Sequence, residues 1–146
     1  MSIKVALFGS ALAAGTLGAA RVPTQASAKP PGPLLPLSDQ DEQASQETGC
    51  TFTFSSGRHD YLQLVGSELL LRDAHGLRAC RLTTAATEDL EDGRGAVSCS
   101  GYRLRMRPFG RTTSNAATDS SSRRAVLTAD RDGAAVRMDG VWGVAC

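Results

Sequence analysis

The sequence predicts an all-β domain, a small antiparallel barrel or sandwich of about seven to eight strands stapled by disulfides. Three observations predict it. Short runs of alternating apolar and polar residues recur after residue 49, turns rich in glycine and aspartate separate them, and four cysteines lie among them. Side chains on a strand point alternately to opposite faces, so this alternation is typical of strands with one buried face.

The first 28 residues have the pattern of a cleaved export signal. Lys4 precedes an uncharged apolar stretch over residues 5–20, and Ala26-Ser27-Ala28 has the small residues that signal peptidase recognises. The stretch is shorter than the roughly 20 residues of a spanning helix. A retained amino-terminal anchor is the alternative. We therefore expect a periplasmic or secreted protein with no membrane span after cleavage.

Residues 29–48 are predicted to be a disordered tether, because four prolines are followed by a polar, acidic run. A single β domain, residues 49–146, remains, and we expect a monomer. Cleavage removes Lys4 and Arg21, which leaves 14 basic side chains against 15 acidic ones. This balance argues against a nucleic-acid-binding protein, whose domain would be clearly basic.

The four cysteines all lie in the β domain, and an even number in an exported chain indicates two disulfides. Of the three possible connectivities we favour Cys80 with Cys99, across one loop, and Cys50 with Cys146, which joins the two ends of the domain. A zinc site is the alternative, but the chain has no C-x-x-C pair. No metal or other cofactor is expected.

The first half of the domain is predicted as four strands in chain order. Residues 50–54 alternate, and residues 61–65, 69–71 and 77–83 follow, with turns at Gly57, Gly66 and Gly76. Residues 85–95 are strongly acidic and are predicted to form an exposed loop or a single helical turn.

The second half begins with a strand over residues 97–107. A serine- and threonine-rich stretch, residues 111–122, is expected to be a flexible connection. Residues 124–129 and 134–138 then flank Asp130-Arg131-Asp132-Gly133, which is typical of a hairpin turn. Trp142 lies among glycines close to the carboxyl terminus.

A row of arginines is the strongest functional signal. Tyr102, Leu104 and Met106 would face the core, whereas Arg103, Arg105 and Arg107 would face outwards, with Arg111 just beyond. Alternate strand positions lie roughly 7 Å apart, a spacing at which forked guanidinium donors can meet successive anionic groups. The row predicts binding to an anionic glycan, a lipid headgroup or an acidic protein surface. The alternative is a solvated face, or pairing with acids across strands.

Trp142 is a second candidate binding residue, as a platform for a ligand. The alternative is that it plugs one end of the barrel core.

Catalytic signals are weak. His59 and Asp60 with a serine would make a hydrolase, but no serine lies in a Gly-x-Ser-x-Gly elbow and every cysteine is expected to be oxidised. The carboxylates at Glu88, Asp89, Glu91 and Asp92 are crowded into one polar loop, unlike a pair set across a cleft. The sequence therefore predicts a non-catalytic exported binding protein.

In architecture the chain resembles the small disulfide-stapled periplasmic β-barrels that inhibit c-type lysozymes. It shares their export, their size, an early cysteine at Cys50 and a late Trp142-Gly143. The resemblance implies, as an alternative function, an inhibitor of an envelope-attacking enzyme that uses an exposed loop such as residues 111–124. Those inhibitors carry a glycine-containing loop that ends in tyrosine, which residues 120–124 lack, so no inhibitory residue is assigned.

Overall fold

The computed structural model describes residues 34–146. The expected export signal and the first part of the expected tether lie outside the described residues. The helices are α1 (Asp39–Glu42) and α2 (Thr84–Asp92), and the strands are β1 (Thr51–Ser56), β2 (His59–Val65), β3 (Glu68–Asp73), β4 (Gly76–Arg81), β5 (Val97–Cys99), β6 (Tyr102–Asn115), β7 (Ser120–Arg131) and β8 (Ala134–Ala145).

The strands form one antiparallel sheet in the order β4-β3-β2-β1-β8-β7-β6-β5. Two four-stranded meanders, β1 to β4 and β5 to β8, are joined side by side because the first strand pairs with the last. The sheet curls until its edge strands β4 and β5 come into contact. The result is a nearly closed barrel, so the predicted all-β class is confirmed and its barrel form is favoured over a sandwich.

Both predicted disulfides are present. Cys50–Cys146 joins the start of β1 to the end of β8, with a Cα–Cα distance of 4.3 Å. Cys80–Cys99 joins β4 to β5, with a Cα–Cα distance of 5.6 Å. Because β4 and β5 share no strand ladder in the described sheet, the second disulfide is the covalent closure of the barrel.

The core lies inside the barrel and consists of alternate residues of the strands. Phe54, Leu62, Leu64, Leu69, Leu71, Leu104, Met106 and Leu127 are fully buried there. In two tight turns, Ser100-Gly101 and Asp132-Gly133, both central residues have positive φ. Such a pair forms the hairpin turn whose twist suits the flanking strands.

Residues 84–92 form a helix rather than the predicted acidic loop or single turn. The Thr83 side chain accepts a hydrogen bond from the Ala86 N–H (3.3 Å), and Gly93 ends the helix in the left-handed conformation. Leu90 is fully buried and packs on the core. The helix is acidic on its exposed side and has one large apolar anchor, which explains why its pattern was not seen in the sequence.

Residues 34–48 pack against the barrel, which differs from the disordered tether predicted over residues 29–48. Leu34 and Leu37 are buried. The Leu35 N–H donates to the Arg72 carbonyl (2.8 Å) and the Leu37 N–H to the Asp60 carbonyl (2.7 Å). The segment thereby satisfies backbone groups where β2 and β3 diverge, since their ladder extends only from Leu62–Leu71 to Val65–Glu68.

The predicted flexible connection over residues 111–122 is also ordered. β6 continues to Asn115 and pairs with β7 after a register shift between Phe109 and Thr113. Gly110, with φ of 78°, accommodates this bulge. The turn of this hairpin is held to the domain's end by a hydrogen bond from the Cys146 N–H to the Asp119 carbonyl (3.1 Å).

Candidate functional site: an arginine face and a neighbouring hydroxyl groove

The alternation predicted for β6 is present. Tyr102, Leu104 and Met106 are at most 4% exposed. Arg103, Arg105 and Arg107 are exposed on the outer surface of the barrel.

The strand register extends this cationic surface from β6 to β7 and β8. Arg105 lies opposite Thr128 on β7, which lies opposite Arg137 on β8. Phe109 lies opposite Arg124, whose guanidinium carbon is 5.1 Å from the centre of the Phe109 ring. We call Arg103, Arg105, Arg107, Arg124 and Arg137 the arginine face.

The arginines of the described residues fall into three groups: those with ion pairs, those of the arginine face, and Arg58, Arg111 and Arg123, which form no ion pair and lie outside the face. Arg72, Arg78, Arg81, Arg94 and Arg131 form ion pairs with carboxylates. Within residues 34–146, no member of the arginine face has a carboxylate oxygen within 4.0 Å. The face therefore holds guanidinium groups whose hydrogen-bonding capacity the folded domain leaves available.

Two carboxylates lie on the same surface. Asp130 is opposite Arg103, and Asp139 is opposite Val126 beside Arg107. With five arginines and two aspartates, the surface keeps an excess of positive charge although the whole chain is nearly neutral. Two shallow depressions open on it, of about 300 Å³ beside Arg103 and Arg105 and about 220 Å³ between Arg107 and Arg137.

The remaining sequence-predicted binding residues lie elsewhere. Arg111 is exposed in the bulge of β6, next to the arginine face but outside its regular register. Trp142 is only 5% exposed. Its ring stacks on Phe52 with centroids 5.6 Å apart, and its indole N–H donates to the Glu91 carbonyl (3.1 Å). Trp142 thus fastens α2 to one end of the barrel, on the opposite side of β8 from the arginine face.

Sequence reasoning missed Arg137. The signal was available: the Asp132-Gly133 turn sets the register of β8 on β7, and that register places Arg137 in line with Arg105. The sequence places Arg124 across the loop from the β6 arginines, but which β6 residue it faces depends on the bulge and could not be predicted.

A groove of about 360 Å³ adjoins the arginine face. Its floor contains Gly143 and Ala145 of β8. Its lining contains no charged residue. Hydroxyl and amide side chains from β1, β6 and β7 surround it, namely Thr51, Thr53, Ser55, Thr113, Ser114, Asn115, Ser120, Ser121 and Ser122. We call it the hydroxyl groove.

The residues considered for hydrolase chemistry, His59 and Asp60 with a serine, do not form a catalytic relay. The Ser55 hydroxyl donates directly to the Asp60 carboxylate, whereas a catalytic relay would place an imidazole between the two. The ring of His59 makes no hydrogen bond with either group in the described part of the chain. Across residues 34–146, no cluster of three or more histidine, cysteine or acidic side chains is placed to hold a metal ion.

The chain matches no family model, curated protein or solved structure. No helix in the described residues has the length and apolarity to cross a membrane. Two disulfides with no free cysteine among residues 34–146 favour an oxidising compartment.

Proposed function

We propose that this protein is an exported binding module that holds an anionic ligand on its arginine face. The observation that carries the proposal is that five arginines lie together on one surface of paired strands without an ion pair to the domain's own carboxylates among residues 34–146. Five other arginines do form such pairs, and the remaining unpaired ones in these residues, Arg58, Arg111 and Arg123, lie outside the arginine face. Unpaired, forked donors on a rigid sheet are suited to carboxylate, sulfate and phosphate groups.

Rigidity supports the proposal. The arginines project from paired strands of the barrel, so little conformational freedom of the backbone is lost when a ligand binds. The β6–β7 hairpin, which a lysozyme inhibitor of the resembling type would use as a loop, is instead paired and fastened to Cys146. The structure offers no observation that favours an inhibitor over a binding module.

The test is binding of the domain, residues 34–146, to dextran sulfate, to polyglutamate and to vesicles of phosphatidylglycerol and phosphatidylcholine in equal parts, over a salt series. Screening weakens interactions between exposed charges, so the affinity should fall as salt rises. Arg103→Ala, Arg105→Ala and Arg107→Ala together should weaken binding by about tenfold or more at low salt, since each exposed pair contributes up to about 1 kcal/mol.

The matched control removes three other exposed arginines: Arg58→Ala, Arg81→Ala and Arg94→Ala. It changes the net charge equally but leaves the arginine face intact. Its affinity should stay close to that of the wild-type protein. Equal losses in both variants would mean that only net charge matters, and no loss in the first would remove the arginine face as a binding surface.

A further inference from the structure

We infer that the ligand is an anionic glycan whose uncharged, hydroxyl-bearing part lies in the hydroxyl groove while its acidic groups contact the arginine face. This inference rests on the proposed function and narrows its ligand class. The groove and the arginine face are parts of one outer surface of the barrel.

The strand register shows this continuity. Thr113 of β6, Ser122 of β7, Gly143 of β8 and Thr53 of β1 lie in one row across four strands. Two residues further along β8, Val141 lies opposite Arg124. Alternate residues of a strand are roughly 7 Å apart, so the groove begins one row from the arginine face and an extended ligand can span both.

The groove presents side chains that both donate and accept hydrogen bonds. In the described part of the chain, the hydroxyls of Thr51, Thr53, Thr113 and Ser122 have no hydrogen-bond partner within the protein. Sugar hydroxyls have the same dual character. With glycine and alanine on its floor and no charge in its lining, the groove fits a neutral polyhydroxylated segment rather than a second anionic group.

An apolar contact separates the two regions. Phe109 and Val141 are 38% and 41% exposed, and they flank Arg124 in the row between the groove and the other arginines. Sugar rings carry C–H faces as well as hydroxyls, so a glycan that crosses this row can bury those faces against the two apolar side chains. An acidic peptide has few hydroxyls, and a vesicle presents its charges in one plane, so neither would use the groove.

The experiment compares dextran sulfate with poly(vinyl sulfate), which carries the same sulfate ester on a backbone without sugar. The groove variant is Thr53→Val with Thr113→Val, which removes two hydroxyls and keeps β-branched side chains in the strands. It should weaken binding to dextran sulfate by about tenfold and leave binding to poly(vinyl sulfate) unchanged, since each lost hydrogen bond costs a few-fold in affinity.

A matched control, Thr48→Val with Thr84→Val, removes two exposed hydroxyls that do not line the groove and should change neither affinity. Near-ultraviolet circular dichroism establishes that each variant is folded. If the groove variant binds both polymers as the wild-type protein does, the glycan inference is wrong while the proposed function stands. If the triple arginine variant also binds both polymers normally, the proposed function itself is wrong.

Vesicles provide a third arm. Binding to phosphatidylglycerol vesicles more tightly than to dextran sulfate, unaffected by the groove variant, would assign the arginine face to a lipid headgroup and overturn the glycan inference.

Discussion

At the scale of single residues, Asp73 is the carboxylate that links the two meanders. It is 2% exposed at the end of β3. It accepts hydrogen bonds from the His75 N–H (2.8 Å), Arg78 Nε (3.4 Å) and Arg131 Nη1 (3.1 Å). Arg131 belongs to β7 and its guanidinium carbon lies 5.0 Å from the centre of the Tyr102 ring. One buried charge thus joins the β3–β4 hairpin to the β7–β8 hairpin, and Arg131 in turn contacts Tyr102 of β6.

This environment makes stability depend on pH. Burial raises the pKa of Asp73, but the His75 N–H and the Arg78 guanidinium outweigh burial and hold the pKa below its ordinary value of 3.8. A carboxyl whose pKa is lower in the folded state stabilises the fold above its unfolded pKa. That stabilisation is lost as the pH falls through the folded pKa.

Asp73→Asn should therefore lower the free energy of unfolding by about 2 kcal/mol at neutral pH, since hydrogen bonds to a charged group are removed. The difference from wild type should shrink as the pH falls below about 4. Urea unfolding at several pH values measures both effects. Asp92→Asn is the control, because Asp92 is 57% exposed where it pairs with Arg94 and should contribute little. A constant difference at every pH would contradict a role for the Asp73 charge.

Residue orientation on β6 was predictable, whereas the ion pairing of the arginines was not. Alternation alone places Arg103, Arg105 and Arg107 on one face. Whether an arginine finds a carboxylate depends on residues far away in the chain: Arg131 meets Asp73, and Arg81 meets Glu47. Sequence spacing carries no information about such distances.

At the scale of elements, the segment over residues 34–48 behaves as part of the barrel. Asp41 pairs with Arg72, and Glu68 accepts hydrogen bonds from the Ser45 hydroxyl (2.8 Å) and the Gln46 N–H (2.8 Å). Glu68, Leu70 and Arg72 share the outer face of β3. Leu70 lies between the two anchored residues and is only 1% exposed, and we infer that the segment covers it.

A chain that begins at Gly49 should consequently be less stable than one that begins at Leu34. The loss should be at least about 3 kcal/mol, because Leu34 and Leu37 are deleted from the core and Leu70 is uncovered. Thermal unfolding followed by circular dichroism compares the two chains. Identical midpoints would mean that the segment is the tether that its prolines and acidic residues predict.

One sequence signal for this contact was available. Leu69, Leu70 and Leu71 are consecutive, and a strand with apolar residues on both faces is typically covered on both. What covers the outer face could not be predicted, because the partners lie on a stretch whose composition resembles that of a disordered chain.

At the scale of the whole molecule, closure of the barrel depends on a disulfide rather than on a ladder. Cys80–Cys99 spans the β4–β5 seam and closes a loop of 19 residues, whereas Cys50–Cys146 joins ends separated by 96 residues. The longer loop constrains the unfolded chain more. Cys80–Cys99, which closes the shorter loop, holds the edge strands β4 and β5 together.

We expect Cys80→Ala with Cys99→Ala to cost about 3 kcal/mol and to accelerate amide hydrogen exchange in β4 and β5 beyond the change in global stability. Cys50→Ala with Cys146→Ala should cost somewhat more, about 4 to 5 kcal/mol, without selective exchange at the seam. Exchange that is uniform over all strands in the first variant would show that other contacts close the barrel.

The sequence by itself determined the all-β class, the presence of two disulfides and the outward row on β6, because these follow from strand periodicity, turn residues and a small even set of cysteines. Which of the three connectivities forms was decided by the structure, in agreement with the one favoured. Only the tertiary structure decided the nearly closed barrel, the helix at its end, the packing of residues 34–48 and the full extent of the arginine face. Each of these depends on contacts between residues far apart in the chain. The β6 bulge and the curl of the sheet place Arg124, Arg137 and the hydroxyl groove beside the β6 arginines. No local sequence pattern predicts this arrangement.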